Sequence, residues 1–305
     1  MSRILVIKLG ALGDFVQAMG PAAAIRAHHQ DAEITLLTSA PFAELGRAAP
    51  YFDRVWIDER PSLARPLALW RLRARLRGAG FARVYDLQTS DRSSFYFQLL
   101  RPGAPEWSGI ARGASHPHAN PRRDLIHTIE RQKDQLAAIG IKDVPTPSLA
   151  WAASDIARFH LPERFVLLVP GGAPHRPEKR WPAASYAALA RLVSARGAAP
   201  VVIGGTAETS LGAEISQSAP GAIDLTGKTS FGDIVGLGGR ALHTIGNDTG
   251  PVHLAVAGGA SATVLYSAAS DPDLTAPRGP RVTILRRESL AALGVEEVAA
   301  TLPFG

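Results

Sequence analysis

"ILVIKLGALGDFVQAMGPAAAIRAHH" (Ile4–His29) is the stretch on which the fold turns. A short β-branched run followed by turn signals reads as a buried parallel strand. Residues from about Phe15 to His28 then read as a helix, with Pro21 interrupting it or marking a restart. Between the two, Gly10 and Gly13 permit a tight strand-to-helix turn and let a ligand approach bare backbone. A helix start presents unpaired amides that favour an anion. Asp14 stands there, and as a purely structural group it is an ordinary N-terminal carboxylate.

The same grammar repeats along the chain. "EITLLTS", "RVWIDE" and "ARVYDLQ" are strand-like and alternate with helical patterns, ending in the helix "LIHTIERQKDQLAAIGI". "IKDVPTPSL" carries two prolines and reads as a linker. The alternation then restarts with "RFVLLVPGG", "APVVIGG", "AIDLTG", "HTIGND", "SATVLYS" and "RVTILRR". Two successive β-α series predict an α/β protein with two Rossmann-like, doubly wound parallel sheets facing a cleft, divided as residues 1–150 and 151–305. Ligands in such sheets bind beyond the carboxyl ends of the strands, where the glycine-rich breaks fall.

Composition narrows the function. The 305 residues suit two domains, and the absence of cysteine excludes disulfides, thiolate metal sites and cysteine nucleophiles. Lys8 and Asp14 break the N-terminal apolar stretch, so it does not read as a signal peptide, and no apolar run is long enough to span a membrane. These features fit a cytoplasmic protein. Residues 1–150 hold 20 Lys and Arg against 14 Asp and Glu, whereas the second half is balanced at 13 each. Seven arginines and no acid lie between Arg60 and Arg83. The core of this stretch, "LALWRLRARLRGAGF", reads as a basic amphipathic helix with Leu69, Leu72 and Leu76 on its apolar face. Such runs are usually solvated helix faces, yet the lack of counter-charge favours an anionic partner. Arg60, Arg65, Arg71, Arg73 and Arg75 are the candidate contacts, to a phosphorylated acceptor or to an anionic membrane surface. Aromatic interleaving is sparse and no nucleic-acid motif is present, so a nucleic-acid partner is not expected.

Two further breaks carry chemistry. In "VPGGAPHRPEKRWP" (169–182) glycines follow a strand and His175, Arg176, Lys179 and Arg180 follow the glycines. The spacing is not that of a Walker loop, but amides with basic side chains suit a diphosphate. A basic surface loop stopped by Trp181-Pro182 is the plainer alternative. In "HTIGNDTGPVHLAVAGG" (243–259) a strand gives way to a helix near Gly250-Pro251, where proline suits the first turn. Asp248 or Thr249 is expected to cap that helix. His253 follows one turn along, and a lone histidine there is commonly a core residue. Asp248, Thr249, Gly250 and His253 together also suit a diphosphate held on amides and a hydroxylated sugar held on the carboxylate. "GGTAETSLGAEI" adds Glu208, either a ribose-binding acid or a helix-start carboxylate.

With these motifs the chain resembles the glycosyltransferase family 9 enzymes, the lipopolysaccharide heptosyltransferase family. The resemblance rests on "ILVIKLGALGDFVQAMGPAAAIR", "VPGGAPHRPEKRWP", "GGTAE" and "IGNDTGPVHLAVA", in order and spacing. It implies a GT-B fold, with the acceptor held mainly by the first domain and the nucleotide-sugar by the second. It further implies inverting, metal-independent transfer from ADP-heptose to a lipid-linked glycan acceptor, at the cytoplasmic face of the inner membrane. By the same resemblance Asp14 matches the catalytic base, Lys179 the phosphate-contacting lysine, and Glu208 the ribose acid. Asp248, Thr249, Gly250 and His253 match the donor motif; Gly13, His175 and Arg176 are further candidate donor contacts, read from their place at the glycine breaks. The chain departs from the family pattern at Tyr266–Pro272, where Phe-Gly-Pro-Thr-Asp-Pro is usual, which bears on the identity of sugar and nucleotide. Asp271-Pro272-Asp273 spells a D-x-D triplet, which is common by chance. Rival readings are a related epimerase or hydrolase acting without acceptor, and an inactive nucleotide- or glycan-binding relative.

Overall fold

A computed structural model of the chain describes residues 1–62, 64–173 and 175–304. The chain divides into two units, residues 1–147 and 148–305. The proline-containing stretch before the division has no regular structure.

In the first unit β1 (Arg3–Ile7) leads into α1 (Leu12–Gln17) and α2 (Met19–His28). The pattern continues with β2 (Glu33–Thr38), α3 (Ala43–Ala48), β3 (Arg54–Ile57), α4 (Pro66–Gly78) and β4 (Arg83–Asp86). It closes with α5 (Asp91–Leu100), β5 (Glu106–Gly109), β6 (His116–Pro117) and α6 (Thr128–Ala137). The helical pattern from Phe15 is therefore two helices broken at Ala18, with Pro21 in the first turn of the second, where its missing N–H costs little. The strands β5 and β6 occupy a stretch for which the sequence predicts no element.

The second unit follows the same plan: β7 (Phe165–Val169), α7 (Ala183–Ala195), β8 (Ala199–Val202), α8 (Thr209–Ser218), β9 (Ile223–Asp224) and α9 (Phe231–Arg240). Then come β10 (His243–Asn247), α10 (Gly250–Ala257), β11 (Ala262–Tyr266), α11 (Pro272–Thr275), β12 (Val282–Arg286) and α12 (Val295–Ala299).

Both sheets are wholly parallel, with orders β3-β2-β1-β4-β5-β6 and β12-β11-β10-β7-β8-β9. Each is the doubly wound order, in which the winding reverses once. The reversal lies between β1 and β4 in the first unit and between β7 and β10 in the second. Chains leaving neighbouring strands at a reversal turn to opposite faces, which opens a crevice at their carboxyl ends. Asp14 follows β1, Lys179 follows β7 and Asp248 follows β10, so the topology alone brings these residues to the two crevices.

The central strands are buried on both faces, with β7, β10 and β11 buried throughout. Trp107 anchors the first core beside Phe97, and Trp181 anchors the second in edge contact with Tyr186. Helices α9 and α10 approach at backbone distance: a Cβ on Gly238 would lie 2.7 Å from both Cα and the carbonyl oxygen of Ala255. Backbone cannot yield as a flexible side chain can. Gly238→Ala should therefore cost about 3 kcal/mol and lower the melting temperature by roughly 5–10 °C. Gly78→Ala adds the same carbon where nothing lies within 4 Å. Scanning calorimetry of both variants checks this, and equal melting points would be the contrary result.

Candidate active site

In the second unit three loops converge on the start of α10. Gly171 and Gly172 follow β7, Gly204 and Gly205 follow β8, and Thr249 and Pro251 open α10. With Glu208, Thr229, Phe231 and Ile234 they line a pocket of about 250 Å³. The glycines are required by closeness. A Cβ on Gly204 would come 2.9 Å from Cβ of Glu208, and one on Gly171 would come 3.0 Å from its Cγ. One carboxylate oxygen of Glu208 accepts the Gly205 amide at 2.8 Å, as a helix-start carboxylate does, and the residue also lines the pocket.

The expected cap on α10 is absent. Thr249 occupies the N-cap position in extended conformation and its side chain makes no capping bond. Asp248 is engaged elsewhere, since its Oδ2 accepts a hydrogen bond from Lys179 Nζ at 2.8 Å. Both side chains are mostly buried. Burial would raise the Asp248 carboxyl, but the hydrogen bond and charge of Lys179 hold it below the usual carboxylate range, and His253 adds to that pull. A charge-assisted bond outcompetes a capping bond to an amide, and no side-chain cap from Thr249 closes the start of α10. Lys179 is carried to this point by a single 3₁₀ turn, Pro177–Lys179. The loop is braced by Arg180, whose Nη2 donates to the Gly172 carbonyl at 2.6 Å.

Of the remaining donor candidates, His253 is buried in α10, one turn in. His175 and Arg176 do not join the pocket: both are exposed, and Arg176 lies 3.9 Å from Glu178. Gly13 lies in α1 of the first unit. The D-x-D triplet has a local role, because the Asp271 side chain caps α11 by accepting the Asp273 amide. Asn247 and Phe231 were not singled out by sequence reasoning. Asn247 carries no motif of its own beyond ending β10, and Phe231 starts an ordinary amphipathic helix.

In the first unit Asp14 lies in the first turn of α1. Lys8, which breaks the apolar run of the sequence, is buried, and its ammonium donates to the Leu87 carbonyl at 3.2 Å. Burial lowers its pKa, while the charges of Asp14 and Asp86 oppose the shift. Asp14 also acts on Arg131 of α6. A lysine at the end of a buried strand was the signal for this cluster. Asp86, at the end of β4, is fully buried; its Oδ1 accepts the Gln88 and Thr89 amides, and its Oδ2 has no hydrogen-bond partner among the described residues. A pocket of about 620 Å³ lies alongside, walled by Leu9–Ala11, Ser39–Phe42, Asp58–Arg60 and Gln88. Gly10 is required here twice over: its φ is +133°, and a Cβ would stand 2.8 Å from the Phe42 ring.

The arginine run is less free than its lack of acids suggests. Arg60 bends over this pocket, donating to Ser39 Oγ at 3.0 Å. Arg73 Nε donates to the Leu99 carbonyl at 2.8 Å, and Arg75 covers the Trp56 ring at 4.0 Å. Carbonyl oxygens and an aromatic face replace the missing carboxylates. Arg65 and Arg71 remain exposed.

The profile of glycosyltransferase family 9 (heptosyltransferase) matches residues 69–299. The chain belongs to this family. A stretch of 131 residues is 33% identical to lipooligosaccharide heptosyltransferase 2 of Haemophilus influenzae, covering 41% of this chain and 38% of that one. The match thus spans well under half of that curated relative. Among solved structures, a family 9 glycosyl transferase from Veillonella parvula superposes at a TM-score of 0.85 with 20% identity, over 98% of this chain and 95% of the other. The ADP-heptose lipopolysaccharide heptosyltransferase II of E. coli gives 0.79 with 22% identity over 99% and 97%. An E. coli heptosyltransferase solved with ADP gives 0.77 with 18% identity over 98% of each chain. At these identities the likeness shows the fold, which is the GT-B α/β fold.

Asp86 makes the first unit sensitive to pH. Burial is the largest influence on its carboxyl; the Thr89 amide, Ser93, the Gln88 amide and Lys8 oppose it, and the pKa settles at about 6. In the unfolded chain an aspartate ionises near 4, so between pH 4 and 6 the folded state holds the extra proton. Stability contributed by this group is therefore greatest below pH 4 and falls as pH rises to 6, by about 3 kcal/mol in all. Asp86→Asn cannot lose that proton. The difference in unfolding free energy between the two proteins should slope across this window, and a flat difference would contradict the assignment.

Proposed function

We propose that the protein is an inverting glycosyltransferase that moves a heptosyl group from ADP-heptose to a lipid-linked glycan of the lipopolysaccharide inner core. The observation that carries this reading is the start of α10, which no Thr249 side-chain cap closes and which is bordered by the glycine pairs Gly171-Gly172 and Gly204-Gly205 and by Lys179. Amides, a helix dipole and an ammonium converge there, the environment that a diphosphate requires. The apolar side of the pocket, with Phe231 and Ile234, suits a nucleobase, and Glu208 suits the ribose hydroxyls. Two of the solved relatives support the choice of nucleotide: one was solved with ADP, and the other is named for ADP-heptose.

In this reading Asp14 is the general base. It takes the proton from an acceptor hydroxyl as that oxygen bonds to the anomeric carbon of the heptose. The bond from that carbon to the diphosphate breaks on the opposite side, inverting the centre, and its electron pair leaves with ADP. Lys179 and the Thr249 and Gly250 amides stabilise the charge gathering on the departing diphosphate. Asp248 holds Lys179 in place and accepts from the donor sugar. The residues present supply this charge without calling on a metal. Lys8 and Arg131 supply the positive charge that faces Asp14. The arginines of the first unit meet the phosphates or acids of the acceptor, at an anionic membrane surface on the cytoplasmic side.

Calorimetric titration with ADP, UDP, GDP and CMP, with and without Mg²⁺, tests the donor. Tight binding of ADP alone, unchanged by Mg²⁺, is expected; preference for another nucleotide moves the donor, and binding of none overturns the reading. Asp14→Ala should lower turnover of ADP-heptose with a truncated lipopolysaccharide acceptor by about 10²–10⁴. Its affinity for ADP should stay unchanged. Full turnover in this variant would remove Asp14 from the base role.

A further inference from the structure

The outward face of α4 is apolar where a solvated helix is polar. Leu67 is 72% exposed and Trp70 66% exposed, two of the few large hydrophobic side chains left in water among the described residues. With exposed Ala74 they stand at i, i+3 and i+7, which places them along one side of the helix. At 100° per residue, Arg77 borders this stripe on one side and Arg71 on the other, and both are exposed. Arg65 stands just before the helix, also exposed. The inward face is accounted for separately by Leu76 in the core, Leu72 packed against it, and Arg73 tied to the Leu99 carbonyl. The stripe is thus a second apolar face, on a helix that already has one.

We infer that this face docks the protein on an anionic phospholipid bilayer, with Trp70 and Leu67 entering the headgroup boundary and Arg65, Arg71 and Arg77 on lipid phosphates. Charge complementarity selects the occupant. No acid lies anywhere between residues 60 and 83, so nothing on the helix repels an anionic surface. Tryptophan flanked by arginine is the side-chain pairing of an interfacial helix, in which the ring sits at the headgroup level and long cationic stems reach the phosphates. A nucleic-acid backbone would satisfy the arginines but leave Leu67 without a partner. A protein partner would be expected to bring carboxylates, and would not distinguish lipid compositions. The inference rests on the surface-association part of the proposed function and is independent of the donor sugar.

The test is co-sedimentation of the full chain with vesicles of phosphatidylcholine alone and of phosphatidylcholine with phosphatidylglycerol. Binding to the anionic vesicles only, weakened by salt, is expected. Arg71→Ala with Arg77→Ala should weaken it by roughly 25-fold, about fivefold for each charge removed. Trp70→Ala should weaken it by about tenfold. Unchanged melting temperature and ADP affinity would certify that these variants are folded. In addition, Trp70 emission should shift to the blue on anionic vesicles and be quenched by brominated lipid. Equal binding by wild type and variants would overturn the assignment to α4 while leaving membrane association standing. Absence of wild-type binding would overturn both, with the nucleotide titration still reporting on the donor site. Tight binding to a short RNA, indifferent to Trp70→Ala, together with no preference for anionic vesicles, would replace the membrane with nucleic acid.

Discussion

The second unit depends on Asn247. Its side chain is wholly buried at the end of β10 and makes four hydrogen bonds. The amide oxygen accepts the Trp181 backbone N–H at 3.0 Å and the Tyr186 hydroxyl at 3.1 Å. The amide nitrogen donates to the carbonyls of Pro170 at 2.8 Å and Gly171 at 3.1 Å. One side chain therefore fixes both ends of the loop that carries Lys179. Only an amide offers donors and acceptor together at this size; aspartate would leave two carbonyls without a donor. Trp181 extends the anchorage by donating from Nε1 to the Leu293 carbonyl at 3.0 Å. Lys179 needs a fixed loop because an ammonium on a flexible stem is otherwise a poorly positioned charge.

The first unit solves a related problem with charges. Lys8, Asp14, Asp86 and Arg131 act on one another near the β1–β4 reversal. Buried ions are costly unless they are paired and hydrogen-bonded. Here Asp86 is anchored by two backbone amides, whereas Asp14 sits at a helix start with access to solvent. The two carboxylates thus have different environments, Asp86 enclosed and held by backbone amides and Asp14 partly open to solvent.

The fold was legible because its signals are strong where they matter. The buried strands β1, β7 and β11 are rich in aliphatic residues, and β10, which reads His-Thr-Ile-Gly-Asn, is marked instead by the turn and proline-started helix that follow it. The elements missed, β5 and β6, are short, and one of them is only two residues long, His116–Pro117. Periodicity needs more length than that. At the candidate site, Glu208 and Asp248 stand out in the sequence because each follows a strand end that carries glycine, in "GGTAE" and "IGND". The α10 cap was misread because capping statistics describe a local contest between side chain and amide. Lys179 lies 69 residues earlier in the chain and wins that contest through space. His175 and Arg176 stand exposed for the converse reason: sequence proximity to glycines does not say which way a loop side chain turns.

The same distinction governs the arginine run. Counting charges treats all seven arginines alike, but the fold divides them by what stands within reach. Arg83 is paired with Glu106 across neighbouring strands, Arg73 has backbone carbonyls, and Arg75 has an indole face. These contacts consume the charges that face inward or sideways and leave Arg71 and Arg77 beside Trp70. Burial of a tryptophan in a fold of this size is ordinarily easy, as Trp107 and Trp181 show by being almost wholly enclosed. A third kept in water by a helix whose other face is already packed is held there against the hydrophobic effect. The residual positive charge and the residual apolar surface of this helix therefore coincide, and a surface with both properties is best matched by one that is itself anionic outside and apolar within.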